Sequence, residues 1–160
     1  QLLTVVNRVL TRNITSLGED KYMTISALRR DPDGTISFAG AHQDIHVYRA
    51  DLDRVETLET SGLWLGLRQE VDGAFATHRL ELAPGDVLVL HTDGVTEAAR
   101  NGVLFDTHGL RSVVARAGGK SARAILDELM GALDASELAD DATLLVIRQL
   151  ERTRLRALTG

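Results

Sequence analysis

Residues Val87–Glu97 read VLVLHTDGVTE: an apolar run that ends abruptly in Thr92-Asp93-Gly94. Pro84-Gly85-Asp86 forms a turn just before it. A short apolar run bounded by a turn and a polar loop suits a strand buried on both faces. Such a strand delivers Asp93 at its end, where a rigid scaffold fixes a carboxylate. Gly94 then lets an ion, a water or another chain segment approach closely. A second segment completes the pattern. Asp140-Asp141-Ala142-Thr143 opens another apolar run, Ala142–Ile147, read as a final buried strand. Two adjacent carboxylates repel unless solvent or a cation compensates. If the two strands are neighbours, Asp93 and Asp140 meet around one hard cation, Mg²⁺ or Mn²⁺, which prefers oxygen ligands. Each segment taken alone reads more simply as a plain turn or a solvated cap, and their pairing adds only modestly to the metal reading.

Outward from these segments the chain reads as alternating short strands and amphipathic helices. Leu3, Val6, Leu10, Ile14 and Leu17 recur at three- and four-residue steps, predicting a helix over 2–17 that Gly18 stops. Met23, Ile25 and Ala27 alternate with polar residues, as in a strand. Asp31-Pro32-Asp33-Gly34 is a turn that returns the chain through Thr35–Ala39. Further strands are expected at 44–50 and 54–59 around a turn at Asp51-Leu52-Asp53, and at 75–82. Ser61–Gly66 is an apolar loop in which Trp64 reads as a core plug. Leu110, Val113 and Val114 mark a helix over 107–117, ended by Gly118-Gly119. Ser121 caps another helix that carries Ile125, Leu126, Leu129 and Leu133. Arg148 onward reads as polar and peripheral. Helix, mainly antiparallel strands, two helices and a strand make an α+β arrangement.

Composition removes several function classes. The chain has 160 residues, a formal net charge of −5 and no cysteine. Disulfides, thiolate metal sites and cysteine nucleophiles are excluded. Hydrophobic residues make up 44%, enough for a core and against disorder. No basic face points to nucleic acid; Arg152, Arg154 and Arg156 stand alone in a polar tail, 151–160. No apolar run reaches the roughly 20 residues of a membrane span, and no signal peptide opens the chain. The absence of cysteine is compatible with a cytoplasmic location. Without an initiator Met, the chain is expected to begin inside a larger protein.

The same segments resemble the SpoIIE-type branch of the metal-dependent protein phosphatases, the PPM or protein phosphatase 2C-like family. Tyr22-Met23-Thr24 resembles its "fMT" strand, Phe38–His42 its "nAGH" segment, and Gly62–Gly66 its "G-x-x-LG" loop. Leu82–Leu88 followed by His91–Glu97 resembles "L-x-x-GD-x-L-x-x-x-TDGVTE", and Asp140–Val146 resembles "DD-x-TLLV". The resemblance implies a sandwich of two antiparallel β-sheets flanked by helices, with two Mn²⁺ or Mg²⁺ ions in the complete site. It implies a protein serine/threonine phosphatase in which a metal-activated water attacks phosphorus. Transferred residue by residue, Asp93 and Asp140 are catalytic metal ligands, Asp141 is a further candidate ligand, and Gly94 permits close approach. The implied substrate is a phosphorylated regulatory protein of the anti-sigma-factor antagonist type. An upstream sensory or receiver domain is implied in the parent chain.

Two departures bear on that expectation. The family's amino-terminal "GDVSGHG" motif, which supplies a bridging Asp and a glycine carbonyl, has no counterpart here. Residues 1–150 are therefore expected to be the carboxy-terminal part of the domain, with a sandwich incomplete at its amino terminus and weak metal affinity. Ala41 lies between Gly40 and His42, and Gln43-Asp44 stands where the family has a proline. His42 then reads as a core or hydrogen-bonded residue. His91 reads as structural, Thr92 and Thr96 as partners of the backbone around Asp93, and Glu97 as orienting that loop or holding metal-bound water. Two further readings compete with the enzyme: an inactive phosphatase fold that binds its partner as a regulatory domain, and a purely structural module. An unpaired sheet edge would invite a homodimer.

Overall fold

The three- and four-residue spacing of residues 2–17 does fold as a helix, but an asparagine fastens it. The computed structural model describes residues 1–134 and 136–151. Its elements in chain order are α1 (Leu2–Leu17), β1 (Ile25–Arg30), β2 (Ile36–Ala41), β3 (Ile45–Arg49), β4 (Arg54–Leu58), β5 (His78–Leu80) and β6 (Val87–His91). They continue with α2 (Asp93–Thr96), β7 (Ala99–Arg100), β8 (Val103–Leu104), α3 (Asp106–Ala117), α4 (Ala122–Leu133) and β9 (Leu144–Arg148). The chain divides into two units, Gln1–Ile45 with Thr57–Glu81, and His46–Glu56 with Leu82 onward. The polar tail expected at 151–160 lies, from residue 152, outside the described residues.

In the first unit α1 buries Leu3 and half-buries Val6, Leu10 and Ile14, whereas Leu17, expected on that face, is exposed. Gly18 closes the helix in the left-handed conformation (φ 65°), its N–H bonded to Thr15 O. Asn7 is fully buried beside these apolar residues. Its Nδ2 donates to Arg68 O at 2.7 Å and its Oδ1 accepts from Gly66 N at 2.9 Å, which ties the 66–68 loop to the helix. Replacing Asn7 by Ala leaves two loop groups short of a partner. At about 1–3 kcal/mol per buried unpaired group, and with Thr11 Oγ1 still near Arg68 O at 3.4 Å, the expected loss is about 2–3 kcal/mol in urea unfolding. A loss below about 0.5 kcal/mol would show that water replaces the amide.

The first sheet has the order β1-β2-β5 and is antiparallel, with Ile25 opposite Ala41 and Ile36 opposite Leu80. The expected turn closes through Gly34 N–H on Asp31 O at 2.9 Å. The strand expected at 75–82 pairs only over His78–Leu80, the residues that find partners on β2. Trp64 is no core plug. It is 43% exposed and stacks on Tyr22 with centroids 4.8 Å apart. Leu65, its neighbour, is fully buried and pairs with Met23, so the loop turns alternate residues in opposite directions.

The second unit carries the sheet β4-β3-β6-β9. Val87, Leu88 and Val89 are fully buried, as the apolar run predicts. Val87 and Val89 join Leu110, Val114, Ile125 and Leu129 of α3 and α4 in one apolar cluster. The expected buried strand at Ala142–Ile147 forms instead as Leu144–Arg148 and is only half-buried. Leu144 and Val146 pack on the cluster, while Leu145 and Ile147 are exposed, because β9 is last in the sheet order and turns one side toward α4. Arg148 is not peripheral. Its guanidinium donates to the carbonyls of Gly118 (2.8 Å) and Lys120 (2.5 Å), satisfying acceptors at the end of α3. Gly118 is a glycine for a steric reason: a Cβ there would lie 2.4 Å from the Tyr48 ring. The Tyr48 hydroxyl donates to Asp53 Oδ1 at 2.8 Å, and that bond together with burial raises the phenol's pKa. Ser121 caps α4 as expected, accepting from Ala124 N at 3.2 Å.

Candidate metal centre

The antiparallel ladder between β6 and β9 brings the two acidic segments side by side. His91 pairs with Leu144, so Thr92–Gly94 leaves β6 where Asp140–Thr143 enters β9. The strand ends at His91, and Asp93 opens the single turn α2. Strand alternation therefore does not relate His91 to Asp93.

Thr92 holds the junction together. Its N–H donates to Thr143 O at 3.1 Å, its Oγ1 donates to Asp141 O at 3.1 Å, and the same oxygen accepts from Thr143 N at 2.9 Å. Gly94 completes the fit. A Cβ on it would lie 2.6 Å from Asp141 O and 2.9 Å from Asp140 O, so only a glycine lets these backbones touch. Around Asp93 the turn is closed by Glu97 N–H on Asp93 O at 2.8 Å and by Thr96 Oγ1 on the same carbonyl at 3.2 Å. Asp93 Oδ1 accepts from Gly94 N at 3.0 Å, and Asp140 Oδ1 accepts from Asp141 N at 2.7 Å. Each carboxylate is thus oriented by the next backbone amide. Asp93 is half-buried; Asp140, Asp141 and Glu97 are exposed.

The structure brings Asp93, Gly94, Asp140 and Asp141 into one junction. Their donors suit a hard oxygen-seeking cation in kind. In number they supply part of a shell: among the described residues no group of three or more His, Cys, Asp or Glu side chains could hold a metal ion. His91 is buried, stacks parallel to His46 at 5.4 Å and places Nδ1 3.1 Å from Thr92 O, under the junction. His42 lies in the first unit, its Nδ1 2.9 Å from Thr24 Oγ1.

Sequence reading missed the hairpin that leaves this junction. β7 and β8 pair antiparallel, with Ala99 opposite Leu104, around Asn101-Gly102, both with positive φ (53° and 76°). Asn-Gly between two short runs is the signal for such a two-residue turn.

This architecture is that of the PP2C-type phosphatase domain. The SiaA PP2C domain of Pseudomonas aeruginosa superposes with a TM-score of 0.68 at 18% identity, covering 92% of this chain and 68% of that one. The RsbU and RsbW domains of Rv1364c from Mycobacterium tuberculosis give a TM-score of 0.68 at 24% identity, over 88% of this chain and 40% of that one. Residues 1–150 match the family Stage II sporulation protein E (SpoIIE), and the chain belongs to that family. The phosphoserine phosphatase RsbU of Bacillus subtilis (strain 168) is 29% identical over 155 residues, which is 93% of this chain and 44% of RsbU. The chain thus spans under half the length of that relative. No described helix is long and apolar enough to cross a membrane.

Proposed function

We propose that residues 1–150 act as the carboxy-terminal part of a divalent-metal-dependent protein serine/threonine phosphatase domain in bacterial signalling. The observation that carries this is the backbone junction of Thr92-Asp93-Gly94 with Asp140-Asp141, which sets two carboxylate-bearing segments at one end of the β6–β9 pair. Membership of the SpoIIE family and the likeness to RsbU support the reading. Asp93 and Asp140 would hold Mn²⁺ or Mg²⁺, with Asp141 beside them. When bound, the ion supplies an activated water and neutralises phosphoryl charge. This chain's own part is positional. Thr92 locks the two segments, Gly94 admits them to contact, and the amides of Gly94 and Asp141 orient the carboxylates. The substrate is a phosphorylated regulatory protein, of the anti-sigma-factor antagonist class that RsbU-type proteins suggest. The site lies in the cytoplasm in this reading.

The test is Mn²⁺-dependent hydrolysis of a phosphoserine peptide by the full-length protein that contains these residues. Asp93→Asn and Asp140→Asn each preserve side-chain size and the Oδ1 acceptor while removing the charge. Each is expected to lower kcat by about 10²–10³-fold, the scale of a lost electrostatic contact at a reacting group. Turnover surviving both substitutions would remove the metal mechanism. Binding of the phosphopeptide without hydrolysis by the wild-type protein would instead favour a regulatory domain.

A further inference from the structure

Beneath the β7–β8 hairpin lies an open cavity of about 360 Å³. Ala98, Val103, Leu104, Phe105 and Ala132 give it apolar walls, and the exposed Arg100 also lines it. Val103 and Leu104, the two residues of β8, are 71% and 54% exposed. Arg100 differs from the other described cations of its unit. Arg49, Arg54, Arg116, Lys120 and Arg123 pair with carboxylates, and Arg111 and Arg148 bond backbone carbonyls. Arg100 has neither an ion pair nor a side-chain hydrogen bond among the described residues. An uncommitted guanidinium lining a mostly apolar cavity matches an acidic group next to an apolar side chain.

The cavity is tied to the acidic junction. Glu97 N–H closes the α2 turn on Asp93 O, and Phe105 N–H bonds Ala98 O at 2.7 Å. Four residues of helix rise about 6 Å and one further residue adds at most about 3.8 Å, so Ala98 lies within about 10 Å of Asp93 along the chain. An extended peptide covers that distance in about three residues at 3.3 Å each.

We infer that the Arg100 cavity is a specificity subsite that docks the phosphoprotein substrate through an acidic and an apolar residue about three positions from the phosphoserine. The inference rests on the phosphatase reading and names the substrate feature that this site selects. Arg100 acts on affinity, away from the reacting atoms.

The full-length protein is assayed with synthetic phosphoserine peptides carrying a Leu-Glu pair three residues from the phosphoserine, or Leu-Lys in its place, and with para-nitrophenyl phosphate. Arg100→Glu should raise KM for the Leu-Glu peptide about tenfold, the scale of one charge-assisted hydrogen bond, with kcat within about twofold. The same variant should lower KM for the Leu-Lys peptide, and Val103→Ser should raise KM for both. Hydrolysis of para-nitrophenyl phosphate should be unchanged. Equal KM values for the two peptides in both proteins overturn the inference. A fall in para-nitrophenyl phosphate turnover with Arg100→Glu also overturns it, by moving Arg100 to the phosphoryl group. If the wild-type protein hydrolyses nothing, the phosphatase reading fails by itself. Anisotropy of the labelled peptides then decides the subsite, by whether the charge swap exchanges their affinities or leaves them alike.

Discussion

Gly94→Val is expected to abolish phosphoserine hydrolysis and to lower stability by about 1–3 kcal/mol, the usual range for forcing extra carbons into a packed contact. The atoms facing the new side chain are the carbonyl oxygens of Asp140 and Asp141, at 2.9 and 2.6 Å from the ideal Cβ position. Backbone carbonyls cannot swing aside as the end of a flexible side chain does. The segments must part, and parting breaks the Thr92 bonds to Asp141 O and Thr143 N. A displacement near 1 Å at reacting groups costs on the order of 10² in rate. Gly94→Ala has the same clash at its first carbon and should show most of the rate loss with less of the instability. Activity of Gly94→Val within about tenfold of wild type would mean that the junction is not the site of chemistry.

Asp86→Ala is expected to destabilise the protein by on the order of 3–5 kcal/mol, the range for removing one partner of a buried ion pair. Asp86 is 1% exposed. Its carboxylate accepts from Arg49 Nη1 at 2.9 Å, Ala50 N at 2.9 Å and Ala83 N at 3.1 Å. Truncation strands two backbone amides as well as one face of the guanidinium. Arg49 keeps Glu56 at 2.8 Å, which holds the loss below that of an isolated buried charge. Asp86→Asn, which retains one acceptor oxygen, should fall between the two. Equilibrium urea unfolding separates these outcomes, and an Asp86→Ala loss under about 1 kcal/mol would show that the network is solvated.

The strands and helices were legible where one period dominated. The spacing of Ile125, Leu129 and Leu133 has a single reading, and burial agrees. The Asp93–Asp140 convergence was legible only as a pair of strand ends, because adjacency of β6 and β9 is a non-local fact. Residues whose roles are set by backbone partners escaped sequence reading. Asn7 serves carbonyl and amide groups some sixty positions away, and Arg148 caps a helix thirty residues earlier. Trp64 and Leu65 sit side by side in an apolar loop, and composition alone does not say which turns inward. The half-exposed β9 was missed because an unbroken apolar run looks the same whether one face or both are covered. The Asn101-Gly102 hairpin was within reach, since its turn residues are explicit.

The Thr92 clamp uses hydroxyl and peptide groups, none of which titrates, and leaves the acidic oxygens outside the joint. An ion bound there, as the proposed function has it, would change the charge without asking the strands to re-pair. An ion held there by the folded chain alone would raise the unfolding midpoint by mass action, so chelation should lower that midpoint while the strand pairing itself stays as it is.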